Sequence, residues 1–289
     1  MKNYLQLIRT EQYVKNLFVF APLFFSGAFL EREKTIIVIF TFLCFCITAS
    51  SIYILNDYFD VRQDKLHPEK SKRPLASGKI STKKAFLLMF ILMFISLGSS
   101  YLISLELFKV ILFYIIMNIL YSKWFKHIAI LDINIIALGF VLRLFAGAAV
   151  SNVIPSVWIL LITYLLALFL AIAKRRTDVV LAQNGQQVRK NIEGYNLIFI
   201  DITLGILASV LIVCYIFYCI APENQIHYKS KLLYVSIILV MNGIFRYLKL
   251  SLVDQSTYSP TKIVLNDTFI QFTILSWSLL MGYLLYFNH

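Results

Sequence analysis

Charge is scarce in this chain of 289 residues: Asp, Glu, Lys and Arg make up 15% of it, against 60% hydrophobic residues and a mean hydropathy of +0.77. A soluble domain is about one quarter charged. A water-exposed globular protein is therefore excluded, and a polytopic membrane protein is expected. Cysteine is sparse too. Cys44, Cys46, Cys214 and Cys219 all lie in apolar runs, which speaks against a disulfide framework or a thiolate metal centre and for small buried residues. No cleavable signal peptide stands out, since the chain opens on a polar, amphipathic stretch. Acids are outnumbered by bases, 15 to 27, for a net charge of +12. These cations are scattered between apolar spans, so nucleic acid is not the expected partner. Cytoplasmic loops account for them first, and anionic ligands second.

About nine apolar stretches are long enough to cross or nearly cross a bilayer: 16–30, 35–55, 85–105, 107–125, 130–150, 157–173, 196–220, 232–248 and 268–287. The expected fold is an all-α polytopic bundle, with one transmembrane catalytic domain over residues 1–289. Lys and Arg fix its orientation. Alternate loops and the amino-terminal segment hold 21 of the 27. The opposite side holds Arg32, Lys34, Lys109, Lys229 and Lys231, while Arg143 lies inside a span. The amino terminus is expected in the cytoplasm and the carboxy terminus outside a cell membrane. The two richest loops follow the second and sixth spans. That spacing hints at an internal repeat of about four helices, with two polar loops over one central cavity facing the cytoplasm.

One stretch interrupts the apolar pattern most sharply. Asn56, Asp57, Asp60 and Asp64 continue the second span, and on a helix their spacing crowds all four onto one face. Such a face repels itself unless a cation joins it. Mg²⁺ held by oxygen ligands commonly carries substrate phosphates as well, so this face is expected to form a Mg²⁺–diphosphate site at the membrane edge. Cations follow at once: Arg62, Lys65, Lys70, Lys72 and Arg73, then Pro74 and Gly78. Lys72 and Arg73 are candidate anion ligands. His67, beside Pro68, is a candidate base or a structural residue. Arg143 is a functional candidate because it sits alone within a span. A pair with Asp132 on the same helix is out of reach, eleven residues or about 16 Å away. Lys174, Arg175 and Arg176, with Asp178, end the sixth span, and guanidinium groups suit bidentate phosphate binding. Lys15 at the start of the first span, and Tyr121 and Lys126 at the end of the fourth, complete the candidate substrate ligands.

In this order, these residues resemble the UbiA superfamily of intramembrane prenyltransferases. The resemblance implies a bundle of about nine helices, a cytoplasm-facing active site and Mg²⁺ as cofactor. The family's NDxxDxxxD motif is matched in full by Asn56, Asp57, Asp60 and Asp64, and Asp57, Asp60 and Asp64 are the implied catalytic residues. Most members carry a second aspartate-rich motif after the sixth helix. Here that loop has Lys174, Arg175 and Arg176 with the single acid Asp178. The basic loop, together with the His67-Pro68-x-Lys70-x-x-Arg73-Pro74-x-Ala76-Ser77-Gly78 extension, resembles the branch that uses 5-phosphoribosyl diphosphate as donor and a polyprenyl phosphate lipid as acceptor. Asp178 stands where that branch's pattern has a glutamate. The resemblance continues through Val14-Lys15-Asn16, Gly139 to Arg143, Arg246-Tyr247, Ser259-Pro260 and Leu265-Asn266-Asp267. The alternatives are a prenyl transfer from its diphosphate to an aromatic acceptor, which the first motif would serve equally, and transport of a lipid phosphate. Transporters place polar sites at the midplane, whereas here only Arg143 lies deep within a span. An oligomer is compatible with the sequence.

Overall fold

The computed structural model describes residues 2–66, 70–183, 194–228, 230–254 and 260–287. His67, Pro68, Lys229 and Ser259, named above, and Arg189 and Lys190, counted there among the loop cations, lie outside the described residues. Among those described there are helices and turns but no strand. The chain opens with α1 (Lys2–Ile8), a 3-10 segment (Thr10–Phe20) and α2 (Ala21–Phe25). Among the described residues, eight helical segments are long and apolar enough to cross a membrane: α3 (Arg32–Asp64), α4 (Thr82–Ile103), α5 (Leu105–Lys123), α6 (Leu131–Ser151), α7 (Val157–Gln183), α8 (Leu197–Ile220), Leu232–Val253 and Thr268–Tyr286. The chain is thus a multi-pass membrane protein.

The first expected span, 16–30, is not one of the eight. Pro22 lies in the first turn of α2, where its missing N–H does no harm, and Gly27 turns the chain with φ +76° before a short 3-10 segment, Ala28–Leu30. This region is helical but interrupted, because proline and glycine punctuate it.

Two compact units partition the chain: Met1–Pro155, and Ser156–Gly185 with Ile192–His289. In the first unit, α3 is the scaffold. Its 33 residues rise about 50 Å, well beyond a hydrocarbon core of about 30 Å. Asn56 to Asp64 form its last turns, so its polar end has length to spare past the apolar span. The apolar cluster Leu7, Ile54, Leu55, Leu75, Ile80, Ala85 and Met89 packs α1 and the basic loop after α3 against α3 and α4. A second cluster, including Val19, Phe45, Ile111, Tyr114 and Ala146, joins the 3-10 segment to α3, α5 and α6. There α6 comes very close. A Cβ on Gly147 would lie 1.8 Å from the Val19 carbonyl oxygen, so only glycine fits.

The second unit is built on α7 and α8. α9 (Pro222–Tyr228), a 3-10 segment (Lys231–Tyr234), α10 (Val235–Leu248), a π turn (Lys249–Val253), α11 (Pro260–Asn266) and α12 (Thr268–Tyr286) complete it. Asp267 caps α12 by accepting from the Ile270 amide at 2.9 Å, and Arg246 of α10 donates to it at 2.7 Å. These bonds hold the Asp267 carboxyl below the usual range.

Candidate active site

The helical spacing of the α3 acids does what the sequence promised: Asp57, Asp60 and Asp64 are all 2% exposed and share one face. Each is met by a cation. Lys126 donates to Asp60 at 2.6 Å. Arg73 donates to Asp64 at 2.6 Å and to Asp57 at 3.1 Å. Arg9 donates to the same Asp57 oxygen and lies over the Tyr53 ring, 5.0 Å from its centroid. Burying a carboxylate without such partners would cost several kcal/mol, on the order of 3–5 for a broken buried pair.

Local folding explains how the cations arrive. Leu75 is buried against Ile54 and Met89, which presses the basic loop onto α3. The Ser77 amide donates to the Arg73 carbonyl at 2.8 Å, the Ile80 amide donates to the Pro74 carbonyl at 3.1 Å, and Gly78 takes φ +73°. Lys72 remains exposed while Arg73 turns inward. Arg9 follows α1, whose Leu7 is fully buried in the same cluster, and adopts a left-handed φ of 53° that swings its side chain toward Asp57. Lys126 comes from a one-turn 3-10 segment, Phe125–His127. Tyr121 is partly buried and packs on the apolar core of this unit.

Asn56 contributes differently. Its Oδ1 is buried without a hydrogen-bond partner, as is Ser122 Oγ. Native structures rarely leave such an atom unpaired, and a carboxamide oxygen beside two carboxylates one and two turns on is a hard-cation donor set. No group of three or more His, Cys, Asp or Glu side chains is poised around a metal position among the described residues. The aspartates point to their protein cations instead. The residues therefore fit Mg²⁺ in donor chemistry, with Lys126 and Arg73 as the groups that would give way.

Arg143 is 4% exposed and held by neutral groups. It donates to Asn16 Oδ1 at 2.8 Å, to the Gly139 carbonyl at 2.5 Å and to Tyr114 Oη at 3.3 Å. The rings of Phe45, Tyr114 and Phe140 surround it with centroids 4.9, 5.3 and 5.2 Å away. Its charge is solvated by the protein rather than cancelled by a carboxylate among the described residues. Lys15, next to Asn16 in the chain, feels that charge. Burial, then the positive charges of Arg143 and Arg9, push its ammonium down to about 8, with Glu11 pulling the other way.

In the second unit the basic triplet divides its work. Lys174 is exposed. Arg175, 1% exposed, donates to Asp178 at 3.2 Å. Arg176 donates to Asp201 of α8 at 2.7 Å and to the Ser251 carbonyl in the π turn at 2.5 Å. A π turn leaves backbone carbonyls displaced from the regular ladder, and Arg176 satisfies one of them.

Sequence reasoning missed Arg9, Tyr114 and Asp201. Arg9 is 48 residues from Asp57 and sits in an amphipathic stretch where a lone arginine reads as an interfacial anchor. The only local hint was the polar break between two short helices.

A model of the UbiA prenyltransferase family matches residues 18–262. A decaprenyl-phosphate phosphoribosyltransferase of Mycolicibacterium smegmatis is 31% identical over 98% of this chain and 92% of its own length. Its counterpart in Corynebacterium glutamicum is 30% identical over 94% of this chain and 83% of its own. Among solved structures, a UbiA homolog from Archaeoglobus fulgidus bound to DMAPP and Mg²⁺ superposes with a TM-score of 0.73 at 18% identity, covering 98% of this chain and 99% of that one.

Proposed function

Since the chain belongs to the UbiA prenyltransferase family, we propose that it transfers phosphoribose from 5-phosphoribosyl diphosphate to a polyprenyl phosphate, releasing diphosphate. The single observation that carries the choice of donor is the cationic end of α7. Lys174, Arg175 and Arg176 stand there in a stretch of sequence with the single acid Asp178, and relatives with the phosphoribosyltransferase name align over nearly the whole chain. A donor with phosphate at both ends needs a second anion subsite, and fixed cations can provide it without a second metal.

In this reading Asn56, Asp60 and Asp64 hold Mg²⁺, which when bound neutralises the departing diphosphate. Asp57 keeps Arg9 and Arg73 in place beside it. Lys126 and Arg73 bind the diphosphate oxygens. Lys72, at the exposed rim, draws the anionic donor in. Lys174 to Arg176 are cations of the kind that bind a sugar 5-phosphate. Arg143 braces Asn16 and so aims Lys15 at an anionic headgroup. Tyr121 lines the same substrate region. The bond from C1 to the diphosphate oxygen breaks and a lipid phosphate oxygen bonds to C1, through a transition state with oxocarbenium character, as in other glycosyl transfers. The acceptor phosphate is ionised at neutral pH, so no strong general base is required. Positioning and charge stabilisation supply the rate. The lipid tail stays among membrane helices while the head meets a water-soluble donor at the cytoplasmic face.

The test is direct. Purified protein is given radiolabelled 5-phosphoribosyl diphosphate, a polyprenyl phosphate and Mg²⁺. Labelled lipid is expected, and its loss on chelation supports the metal role. Absence of labelled lipid, together with prenyl transfer from a prenyl diphosphate to an aromatic acceptor, would replace this reading with the ordinary prenyltransferase one.

A further inference from the structure

The polar end of α3 and the start of α4 meet on a second face, away from the aspartates. Ile54 and Tyr58 of α3, Leu75 of the loop between, and Ala85, Phe86 and Met89 of α4 line a shallow apolar groove. Tyr58 and Phe86 meet edge to face in it, with ring centroids 4.6 Å apart. The groove lies on a different side of α3 from the acids: Tyr58 is 40% exposed, whereas Asp57, Asp60 and Asp64 are each 2% exposed. On α4, Leu87 and Phe90, the latter stacked beyond Phe86, are exposed as well. Apolar side chains exposed on a membrane-crossing helix face acyl chains, and a tyrosine at the polar end of a span marks the headgroup level.

Cations stand at the polar end of this groove. Arg62 follows Tyr58 by four residues and Lys83 precedes Phe86 by three, so each is stacked above a groove residue on its own helix. Lys79 lies in the turn that enters α4, and all three are exposed. From Arg62 to Lys84 the sequence carries eight Lys and Arg against two acids, one of which, Asp64, is buried. A bias of cations toward the cytoplasm explains their number. It does not explain their register above an apolar groove, which is the layout that an amphiphile with an anionic head would fit.

We propose that this groove seats one acyl chain of an anionic glycerophospholipid from the surrounding bilayer, with its phosphate between Arg62, Lys79 and Lys83. Guanidinium and ammonium groups suit a phosphate, and each basic residue beside an anionic lipid surface adds its own increment to binding. A zwitterionic lipid brings an ammonium group of its own against the same cations and fits less well. The site is separate from the one at the aspartates and does not depend on which reaction takes place there.

Native mass spectrometry of the full chain in detergent, with equal amounts of dioleoylphosphatidylglycerol and dioleoylphosphatidylcholine, tests it. The two lipids share their acyl chains, so only the headgroup differs. Retention of one phosphatidylglycerol is expected, with a preference of about tenfold or more over phosphatidylcholine. Arg62→Gln and Lys83→Gln, both at exposed positions, should each lower that preference about fivefold, and the double variant should remove it. Lys84→Gln, an equal loss of charge one residue further round α4, should leave it unchanged. No preference in the parent chain overturns the site, as does an undiminished preference in the double variant. An equal loss in Lys84→Gln overturns it in favour of general surface charge. Lipid that stays bound in excess sn-glycerol 3-phosphate supports the part given to the acyl chain; lipid displaced by it overturns that part. Undecaprenyl phosphate that displaces phosphatidylglycerol at equal concentration would give the groove to a polyprenyl phosphate and overturn the assignment to a glycerophospholipid.

Discussion

Lys15 is a residue whose charge should change within the working range of pH. Its ammonium is pushed down to about 8 by burial and by Arg143 of α6 and Arg9, opposed by Glu11. Below that value it is protonated and can hold a phosphate; above it the charge is lost. Phosphate monoesters have their second pKa near 6, so substrate charge changes little across this window. The KM for the substrate Lys15 touches should therefore climb as pH rises past 8, approaching about tenfold per pH unit. Lys15→Arg should flatten the profile, because a guanidinium stays charged. Steady-state KM measurements between pH 7 and 9.5 would decide it, and equal slopes in both proteins would remove Lys15 from the substrate site. Legibility at this scale followed spacing. Asn56, Asp57, Asp60 and Asp64 could be read because a helix repeats every three to four residues. Arg9 could not, because its link to Asp57 is made by tertiary packing of Leu7.

At the scale of elements, the junction between α6 and the Thr10–Phe20 segment is the least forgiving. Gly147 faces the Val19 carbonyl with no room for a methyl group, and one turn away Arg143 ties Asn16 to the same helix. Gly147→Ala must push the segment outward. A loss of about 1–3 kcal/mol is expected from such overpacking, visible as a lower melting temperature in detergent. A melting temperature equal to the parent's would show that the contact relaxes freely. The long apolar helices were readable from their runs of hydrophobic residues, but α3 continues nine residues past the expected limit to Asp64 and α7 ten residues to Gln183, because polar turns extend both helices beyond their apolar runs. The 16–30 stretch was read as a span because its composition is apolar; Pro22 and Gly27 decided its form instead, through backbone geometry rather than hydropathy. The second unit's π turn, satisfied by Arg176, carries no periodic signature at all.

For the whole molecule, the number of crossings determines where the ends lie. Eight long helices alone would put both termini on one side. Nine crossings, with the interrupted 16–30 segment spanning as well, separate them. The excess of Lys and Arg in alternate loops favours nine, with the amino terminus in the cytoplasm and the carboxy terminus outside. Reporters fused at each end, one active only in the cytoplasm and one only outside, should give opposite readings. A carboxy-terminal fusion active in the cytoplasm would show that the 16–30 segment does not cross.

The length of α3 has a consequence for the lipid environment. Its apolar part is anchored in the hydrocarbon while its last turns carry the acids, so membrane thickness sets how deep those acids sit. In a bilayer thicker than its apolar stretch, local thinning must compensate, and an aqueous ligand would meet the aspartates closer to the acyl chains. The enzyme would then sense thickness as a variable of catalysis, with the same helix acting as both anchor and ruler.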